Sequence, residues 1–181
     1  MGTGSMDPGA APEQPSPSVQ LPTEPEAWAD DLRLNGKCQQ AIPIFRRLAD
    51  KGAGYELAEF HLGLCLFDVS KTEPDAQRAA SLKHEAAECI LKAANKGLPN
   101  AQISLVTIYL DGNGVDSDPV TAGMWSLIYN DNGARFAIGL PHISPELQAR
   151  LDSVLTEKTW AEAQSRADAW LPASQNWDAV N

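Results

Sequence analysis

The feature that most constrains the fold of this chain is an internal repeat. Three segments begin with Ala and close with Gly eleven residues later, namely Ala41 to Gly52, Ala86 to Gly97 and Ala122 to Gly133. A second pair of segments, AEFHLGLCLF at 58–67 and AQISLVTIYL at 101–110, matches position by position. Apolar residues recur three and four positions apart, which is typical of one face of an α-helix. A single helix pair cannot bury its apolar stripe, so we expect successive pairs to stack into a solenoid.

Each predicted unit consists of a helix A, a loop, a helix B and a terminal Gly. We expect the three terminal glycines to end helix B in the left-handed conformation, which Gly adopts without steric cost. The glycines are 45 and then 36 residues apart, so the first unit is the longer one. Thr72 has the position of an N-cap and Pro74 that of a first-turn residue. Helix B of this unit is therefore predicted to be lengthened, from about Pro74 to Lys96.

Two further helices are predicted at the C-terminal end. Ser144 is a candidate N-cap followed by Pro145, Thr156 is a candidate N-cap of the last helix, and Pro172 ends it. An Ala-x-x-Trp spacing that ends at Trp170 matches the one in the preceding helix B. An atypical terminal pair of this kind is expected to cap the end of a solenoid.

These motifs resemble the Sel-1-like repeat family. The family has an Ala…Leu-Gly…Tyr helix, a Gly-x-Gly-Val…Asp loop and an Ala-x-x-Trp helix that ends at Gly. This sequence supplies Ala101, Leu105, Tyr109, Gly112, Gly114, Val115, Asp118, Ala122, Trp125 and Gly133, and departs at Val106, Tyr129 and Asn130. The resemblance covers about residues 41–133. It implies an all-α fold, an α/α helical repeat solenoid (a TPR-like superhelix of antiparallel helix pairs) with a C-terminal capping helix pair.

Composition divides the chain into three parts. Residues 1–26 comprise a start typical of an expression scar (MGTGS) and a Pro-rich segment with few apolar side chains, which predicts a disordered linker. Residues 27–172 are the predicted solenoid, and residues 173–181 a C-terminal tail. A cleaved signal peptide would leave such a start, and the ending is similar to that of secreted bacterial Sel-1-like proteins. We therefore expect a periplasmic or secreted protein, with a cytoplasmic one as the alternative.

The charge of the chain excludes several partner classes. Its formal net charge is −10, with 24 acidic and 14 basic residues. The Lys and Arg residues form no cluster larger than a pair, whereas nucleic acids and anionic membranes require a basic footprint. No apolar run approaches the roughly 18 residues of a membrane span. The expected partner is a protein or peptide with a neutral or basic surface, and the oligomeric state stays open.

Neither a metal site nor a cofactor is expected. His84 begins a segment like the zinc motif HExxH, but Glu88 occupies the place of the second His. The loop 111–118 faintly resembles a calcium loop, yet Val115 and Asp116 stand where that loop requires an oxygen ligand and a Gly. Ser/His/Asp and Cys/His sets are also missing, so no catalytic residue is assigned and the protein is expected not to be an enzyme.

The three cysteines, Cys38, Cys65 and Cys89, show no CxxC spacing, so a zinc or redox motif is not supported. We expect all three to be small buried hydrophobes, because free Cys is among the most buried residue types. The odd number leaves at least one free thiol, and the sequence does not decide whether any of them pair.

Both A helices carry apolar residues outside their intramolecular stripe. This predicted ridge consists of Phe60, Leu64 and Phe67 in the first unit and Ile103, Thr107 and Leu110 in the second. Two interpretations are open: the ridge receives a partner helix or extended peptide, or it packs between adjacent A helices. The favoured function is a non-enzymatic adaptor or scaffold that binds a partner on the concave A-helix face, in bacterial envelope signalling or complex assembly. The alternative is a structural or ligand-binding subunit of an enzyme or an envelope complex.

Overall fold

The computed structural model of this chain describes residues 24–173, and in this range all regular secondary structure is helical. The helices are α1 (Glu24–Leu34), α2 (Cys38–Ala49), α3 (Glu56–Ser70), α4 (Ala76–Asn95), α5 (Pro99–Asp111), α6 (Pro119–Asp131), α7 (Gly133–Ala137), α8 (Pro145–Val154) and α9 (Glu157–Ala169). The predicted all-α class is thus confirmed. Most of the predicted linker and nearly all of the predicted tail lie outside the described residues. Residues 24–26, which the sequence placed in the linker, form the first turn of α1.

Helices α1 to α6 form three consecutive A–B pairs, and α9 packs on α6 as a cap. The buried apolar residues form two clusters. One joins α1 and α2 to α3, and the other joins α4, α5 and α6 to the C-terminal helices. Helices α3 and α4 contribute to both clusters, so they are the centre of the stack.

The small residues of the repeat allow close helix packing, as the sequence predicted. A Cβ added to Gly63 of α3 would lie 2.6 Å from Ile90 Cγ1 and 2.9 Å from the carbonyl oxygen of Ala86, both on α4. A Cβ on Gly123 of α6 would lie 2.9 Å from Leu155 Cδ1. A larger residue at Gly63 would force α3 and α4 apart, because the backbone of Ala86 cannot move aside, whereas one at Gly123 would require the Leu155 side chain to shift.

Helix α4 is the long helix B that the sequence predicted, but the predicted N-cap is wrong. The cap is Asp75, whose carboxylate accepts a hydrogen bond of 2.8 Å from the backbone amide of Arg78. The Thr72 hydroxyl instead donates to the carbonyl oxygen of Val69 in the turn that closes α3, at 3.3 Å. Pro74 consequently precedes the helix. The N-caps predicted at Ser144 and Thr156 are confirmed, and Asp118 caps α6 in the same way.

Two of the three predicted glycine stops are confirmed. Gly52 and Gly97 have φ angles of +83° and +92° after α2 and α4. Gly133 differs: it is the first residue of α7, and its φ is not in the left-handed region. Asn132 explains the difference, because its side chain accepts a hydrogen bond from the amide of Ala134 and so starts a new helix directly after α6.

The departures from the repeat pattern at Tyr129 and Asn130 have a structural role. The Tyr129 hydroxyl donates to the carbonyl oxygen of Pro141 at 2.8 Å. The buried guanidinium of Arg135 donates to the carbonyl oxygen of Asn130 at 2.9 Å and to that of Leu140 at 2.6 Å. The Asn130 side-chain oxygen accepts a hydrogen bond of 3.1 Å from the backbone amide of Ile143. The Tyr129 and Asn130 side chains thus hold the segment between α7 and α8 against the end of α6, and a pair of Ala residues would provide neither bond.

The loop between α5 and α6 docks on the neighbouring unit. Gly114 has a φ of +80°, and a Cβ there would lie 2.1 Å from the carbonyl oxygen of Lys83 on α4. The Gly114 carbonyl oxygen lies 3.1 Å from Nδ1 of His84. Val115 packs against the second core cluster. The Gly-x-Gly-Val motif therefore serves as a contact between repeats.

All three cysteines are buried, as the sequence predicted, but two of them are not free thiols. Cys38 and Cys65 form a disulfide bond, whereas Cys89 is free and buried. Helices α2 and α3 pack side by side, which places the first residue of α2 against the later half of α3. The bond thus links the first helix pair covalently to the second.

Candidate interaction surface

The structure places the predicted ridge at the boundary between core and surface. Phe60 is only 6% exposed and belongs to the second core cluster. The other apolar members pack against this cluster and are half-buried, namely Leu64, Phe67, Ile103 and Leu110. Thr107 is half-buried too, and its hydroxyl donates to the carbonyl oxygen of Ser104 at 3.0 Å. The ridge therefore takes part in intramolecular packing, and its half-buried members retain some contact with solvent.

A second stripe on α3 faces outward beside the ridge. Leu57, His61 and Leu64 follow one another at helical spacing, and Leu57 is 41% exposed. Helix α1 runs alongside this stripe and presents Leu34, which is 69% exposed. Between the two A helices lies a cavity of about 440 Å³, here named the α1–α3 groove. Its lining includes Glu26, Asp30, Asp31, Leu34, Leu57 and His61.

The rim of the α1–α3 groove is acidic. Asp30 is neutralised locally, because its carboxylate accepts a hydrogen bond of 2.9 Å from Nε of Arg33. Glu26 and Asp31 form no salt bridge with any residue in the range 24–173. Asp31 accepts only a neutral hydrogen bond, from the side-chain amide of Asn35 at 3.1 Å. Two negative charges consequently remain uncompensated next to the apolar floor.

His61 forms the inner wall of the groove and is uncharged at neutral pH. Its side chain is only 13% exposed, and its ring lies edge-on to Phe45 with centroids 5.5 Å apart. Burial lowers the pKa of His61 to about 4; the Arg33 guanidinium acts in the same direction, and the Asp30 carboxylate, 3.3 Å from Nδ1, opposes both. The imidazole thus adds polarity but no positive charge to the groove.

The groove contains no catalytic set of side chains among residues 24–173. A His next to an Asp occurs in hydrolytic sites, but His61 makes no hydrogen bond to a hydroxyl or thiol of the described residues. Burial raises the pKa of the free Cys89 thiol to about 11, so this residue is not a thiolate nucleophile at neutral pH. No cluster of three metal-ligating side chains occurs between residues 24 and 173. In the same range no helix is long and apolar enough to cross a bilayer.

The second unit offers a different surface at the equivalent positions. The Ser104 hydroxyl, which aligns with His61, donates to the carbonyl oxygen of Asn100 at 2.8 Å. Asp111 lies 2.6 Å from a guanidinium nitrogen of Arg150 on α8. These two polar side chains are thus paired within the fold. The apolar, negatively charged groove is a property of α1 and α3.

Sequence reasoning missed the groove because one of its walls is α1. This helix precedes the first repeat motif at Ala41, so the repeat pattern does not predict an A helix opposite Leu57 and His61. A signal was nevertheless present: Ala29 and Leu32, three positions apart, are both buried against α2 and α3. An A helix must precede every helix B of such a repeat, and this requirement alone predicts a helix before residue 38.

Comparison with known proteins gives one informative match. No protein-family model matches the chain, and no curated protein sequence does either. A solved structure does, described as the crystal structure of c5321, a protective antigen present in uropathogenic Escherichia coli strains displaying an SLR fold. The TM-score is 0.61 and the sequence identity 25%, over 87% of this chain and 32% of the other. The chain thus spans about a third of that bacterial protein.

Proposed function

This chain is a helical repeat protein with the Sel-1-like (SLR) fold, and we propose that it is a non-enzymatic adaptor or scaffold that binds a partner protein or peptide on its A-helix face. The observation that carries the proposal is the α1–α3 groove, where Leu34 and Leu57 are exposed beside carboxylates that form no salt bridge within the described part of the chain. Burying a fully exposed leucine contributes about 1.5–3 kcal/mol before the cost of association, and Leu34 and Leu57 contribute in proportion to their exposed fractions of 69% and 41%.

The half-buried part of the ridge extends this surface along the A helices. Leu64 belongs to both the ridge and the outward stripe of α3. The other half-buried ridge residues pack against the same core cluster, namely Phe67, Ile103 and Leu110. Phe60 supports this surface from the core. We propose the groove as the principal contact and the ridge as its continuation.

The B helices provide a suitable contrast. Their outward faces carry exposed charged residues of both signs, namely Arg46, Arg47, Glu88 and Lys92. Arg46 of α2 also forms a salt bridge with Glu85 of α4, in the next unit. Mixed charges of this kind are costly to bury without partners. A partner whose binding depends on burying apolar surface is therefore expected on the A-helix face.

The experiment that tests this proposal is cross-linking from both faces. A photoreactive amino acid is placed at Leu57, at Ile103 or, as the matched control, at Lys92, and the cross-linked partner is identified by mass spectrometry. We expect one partner to be captured from both A-helix positions and not from Lys92. Combined with the probe at Ile103, Leu57→Glu should abolish the capture without lowering the melting temperature. A partner captured from Lys92 alone would show that the A-helix assignment is wrong.

The disulfide supports a periplasmic or secreted location, because such bonds persist in oxidising compartments. The location is tested by blocking thiols at the moment of cell lysis and counting the blocked cysteines. We expect only Cys89 to be free, and only after unfolding, since it is buried. Three blocked cysteines would instead support the cytoplasmic alternative.

A further inference from the structure

We propose that the α1–α3 groove selects a basic segment of its partner that carries a large aliphatic or aromatic side chain between Lys or Arg residues. This inference rests on the proposed binding at the A-helix face and adds the chemistry of the bound segment.

The apolar requirement follows from the floor of the groove. Leu34 and Leu57 are exposed to 69% and 41%, from two different helices, on either side of one cavity. The volume of about 440 Å³ lies in the range of pockets that enclose a small ligand, about 300–1,000 Å³. A groove of this size and lining favours one large apolar side chain with the backbone next to it. A wholly polar segment would leave both leucines in contact with trapped water.

The basic requirement follows from the rim. Of the three carboxylates in the lining, Asp30 alone has a cationic neighbour among residues 24–173, namely Arg33. Glu26 and Asp31 therefore face any bound segment as unpaired negative charges, while His61 stays neutral. A Lys or Arg next to the inserted apolar side chain would pair with them, and a Glu or Asp would be repelled. The net charge of −10 of the whole chain acts in the same direction during encounter.

The selectivity is measured with three fluorescent dodecapeptides and the full chain. In the first peptide Lys alternates with Leu, in the second Glu replaces Lys, and in the third Ser replaces Leu. Fluorescence anisotropy at moderate ionic strength gives the dissociation constants. We expect the Lys–Leu peptide to bind at least about tenfold more tightly than either of the others, since several charge pairs and one buried side chain distinguish them.

Matched variants locate the binding. The double variant Glu26→Lys/Asp31→Lys should weaken binding of the Lys–Leu peptide about tenfold and strengthen binding of the Glu–Leu peptide. The control Glu88→Lys/Asp116→Lys changes the net charge equally, at exposed positions of α4 and of the α5–α6 loop. Its effect should stay within about twofold. Leu57→Ser should weaken the Lys–Leu peptide about tenfold at unchanged melting temperature.

The outcomes separate the two proposals. Equal affinities for the Lys–Leu and Glu–Leu peptides, or equal weakening by the two double variants, would overturn the basic selectivity. If Leu57→Ser still weakened binding in that case, the proposed A-helix function would stand. Binding that is insensitive to both Leu57→Ser and Glu26→Lys/Asp31→Lys would overturn both. Failure of all three peptides to bind at millimolar concentration would also refute the assignment of the groove to a basic, apolar segment.

Discussion

Substitution of Gly114 by Ala tests whether the loop between α5 and α6 is a contact between repeats. The left-handed conformation alone does not make this position special, since Gly52, Gly97 and Gly114 all have φ angles between +80° and +92°. Their surroundings differ. A Cβ on Gly97 meets no heavy atom within 4 Å, whereas a Cβ on Gly114 would lie 2.1 Å from the carbonyl oxygen and 2.5 Å from the carbonyl carbon of Lys83.

The expected cost is the sum of two effects. An Ala in the left-handed region costs about 1–2 kcal/mol of strain, and Gly97→Ala should lower the free energy of unfolding by this amount. At Gly114 the obstacle is the backbone of α4, which cannot move aside as a side-chain end can. The loop must then leave α4, losing the contact with His84, worth about 0.5–1.5 kcal/mol, and part of the burial of Val115. We expect about 2–4 kcal/mol in total for Gly114→Ala.

Urea unfolding followed by helical circular dichroism measures both variants, with His84→Ala as a control for the hydrogen bond. The decisive quantity is the difference between Gly114→Ala and Gly97→Ala, because the backbone strain cancels in it. Equal losses of free energy for these two variants would refute the docking of the loop on α4. A loss for His84→Ala as large as that for Gly114→Ala would attribute the effect to the hydrogen bond alone.

Three further predictions concern interactions that stabilise the fold. Reduction of the Cys38–Cys65 bond, which closes a sequence separation of 27, should cost about 3–4 kcal/mol and lower the melting temperature. The pKa of His61 falls from 6.5 to about 4 on folding, so the unfolded chain takes up this proton first. The neutral His61 therefore contributes fully to the free energy of unfolding above pH 6.5, and this contribution is lost as the pH falls towards 4. We expect a loss of about 1–2 kcal/mol, after allowance for partial exposure, between urea titrations at the two pH values. Asn132→Ala removes a hydrogen bond of 2.7 Å to the fully buried Gln102 and should cost about 1–3 kcal/mol in the same assay.

Each of these has its own control. Cys89→Ser should leave the effect of the reductant unchanged, and a melting temperature that ignores the reductant would contradict the bond. His61→Gln should lack the additional loss at low pH, so superimposable pH profiles of variant and wild type would refute the role of burial. Asn132→Asp keeps the oxygen that caps α7 but removes the amide donors; full stability of this variant would show that only the cap matters.

The fold was predictable where the determining residues lie close together in sequence. The caps at Asp118, Ser144 and Thr156 depend on an amide three residues later, and this contact is local. The Ala and Gly positions of the helix pairs, such as Gly63, recur with the repeat, so self-similarity revealed them. Thr72 shows the limit even here, since Asp75, three residues further on, offers the stronger cap.

Features that depend on distant residues were not predictable in the same way. Gly133 has the same local pattern as Gly97, but the side chain of Asn132 donates to the carbonyl oxygen of Gly97, 35 positions earlier, and also caps α7. The disulfide requires α2 and α3 to be neighbours, and the sequence spacing of Cys38 and Cys65 does not predict that they are. The groove needs α1 as a wall. The apolar ridge was found because it repeats between units, whereas the groove does not repeat.

The disulfide and the groove are mechanically connected, so the redox state of the protein should govern binding. Helix α1 packs mainly on α2 and touches α3 only lightly, so the width of the groove depends on how α2 is held against α3. The Cys38–Cys65 bond provides this tie, and Cys65 lies one helical turn after His61. Reduction should therefore weaken the Lys–Leu peptide severalfold at a temperature where the reduced protein is still folded. Cross-linking from Ile103 on α5, remote from this bond, should change little. If reduction left the affinity for the peptide unchanged, α1 would be positioned by its own contacts, and the bond would serve stability alone.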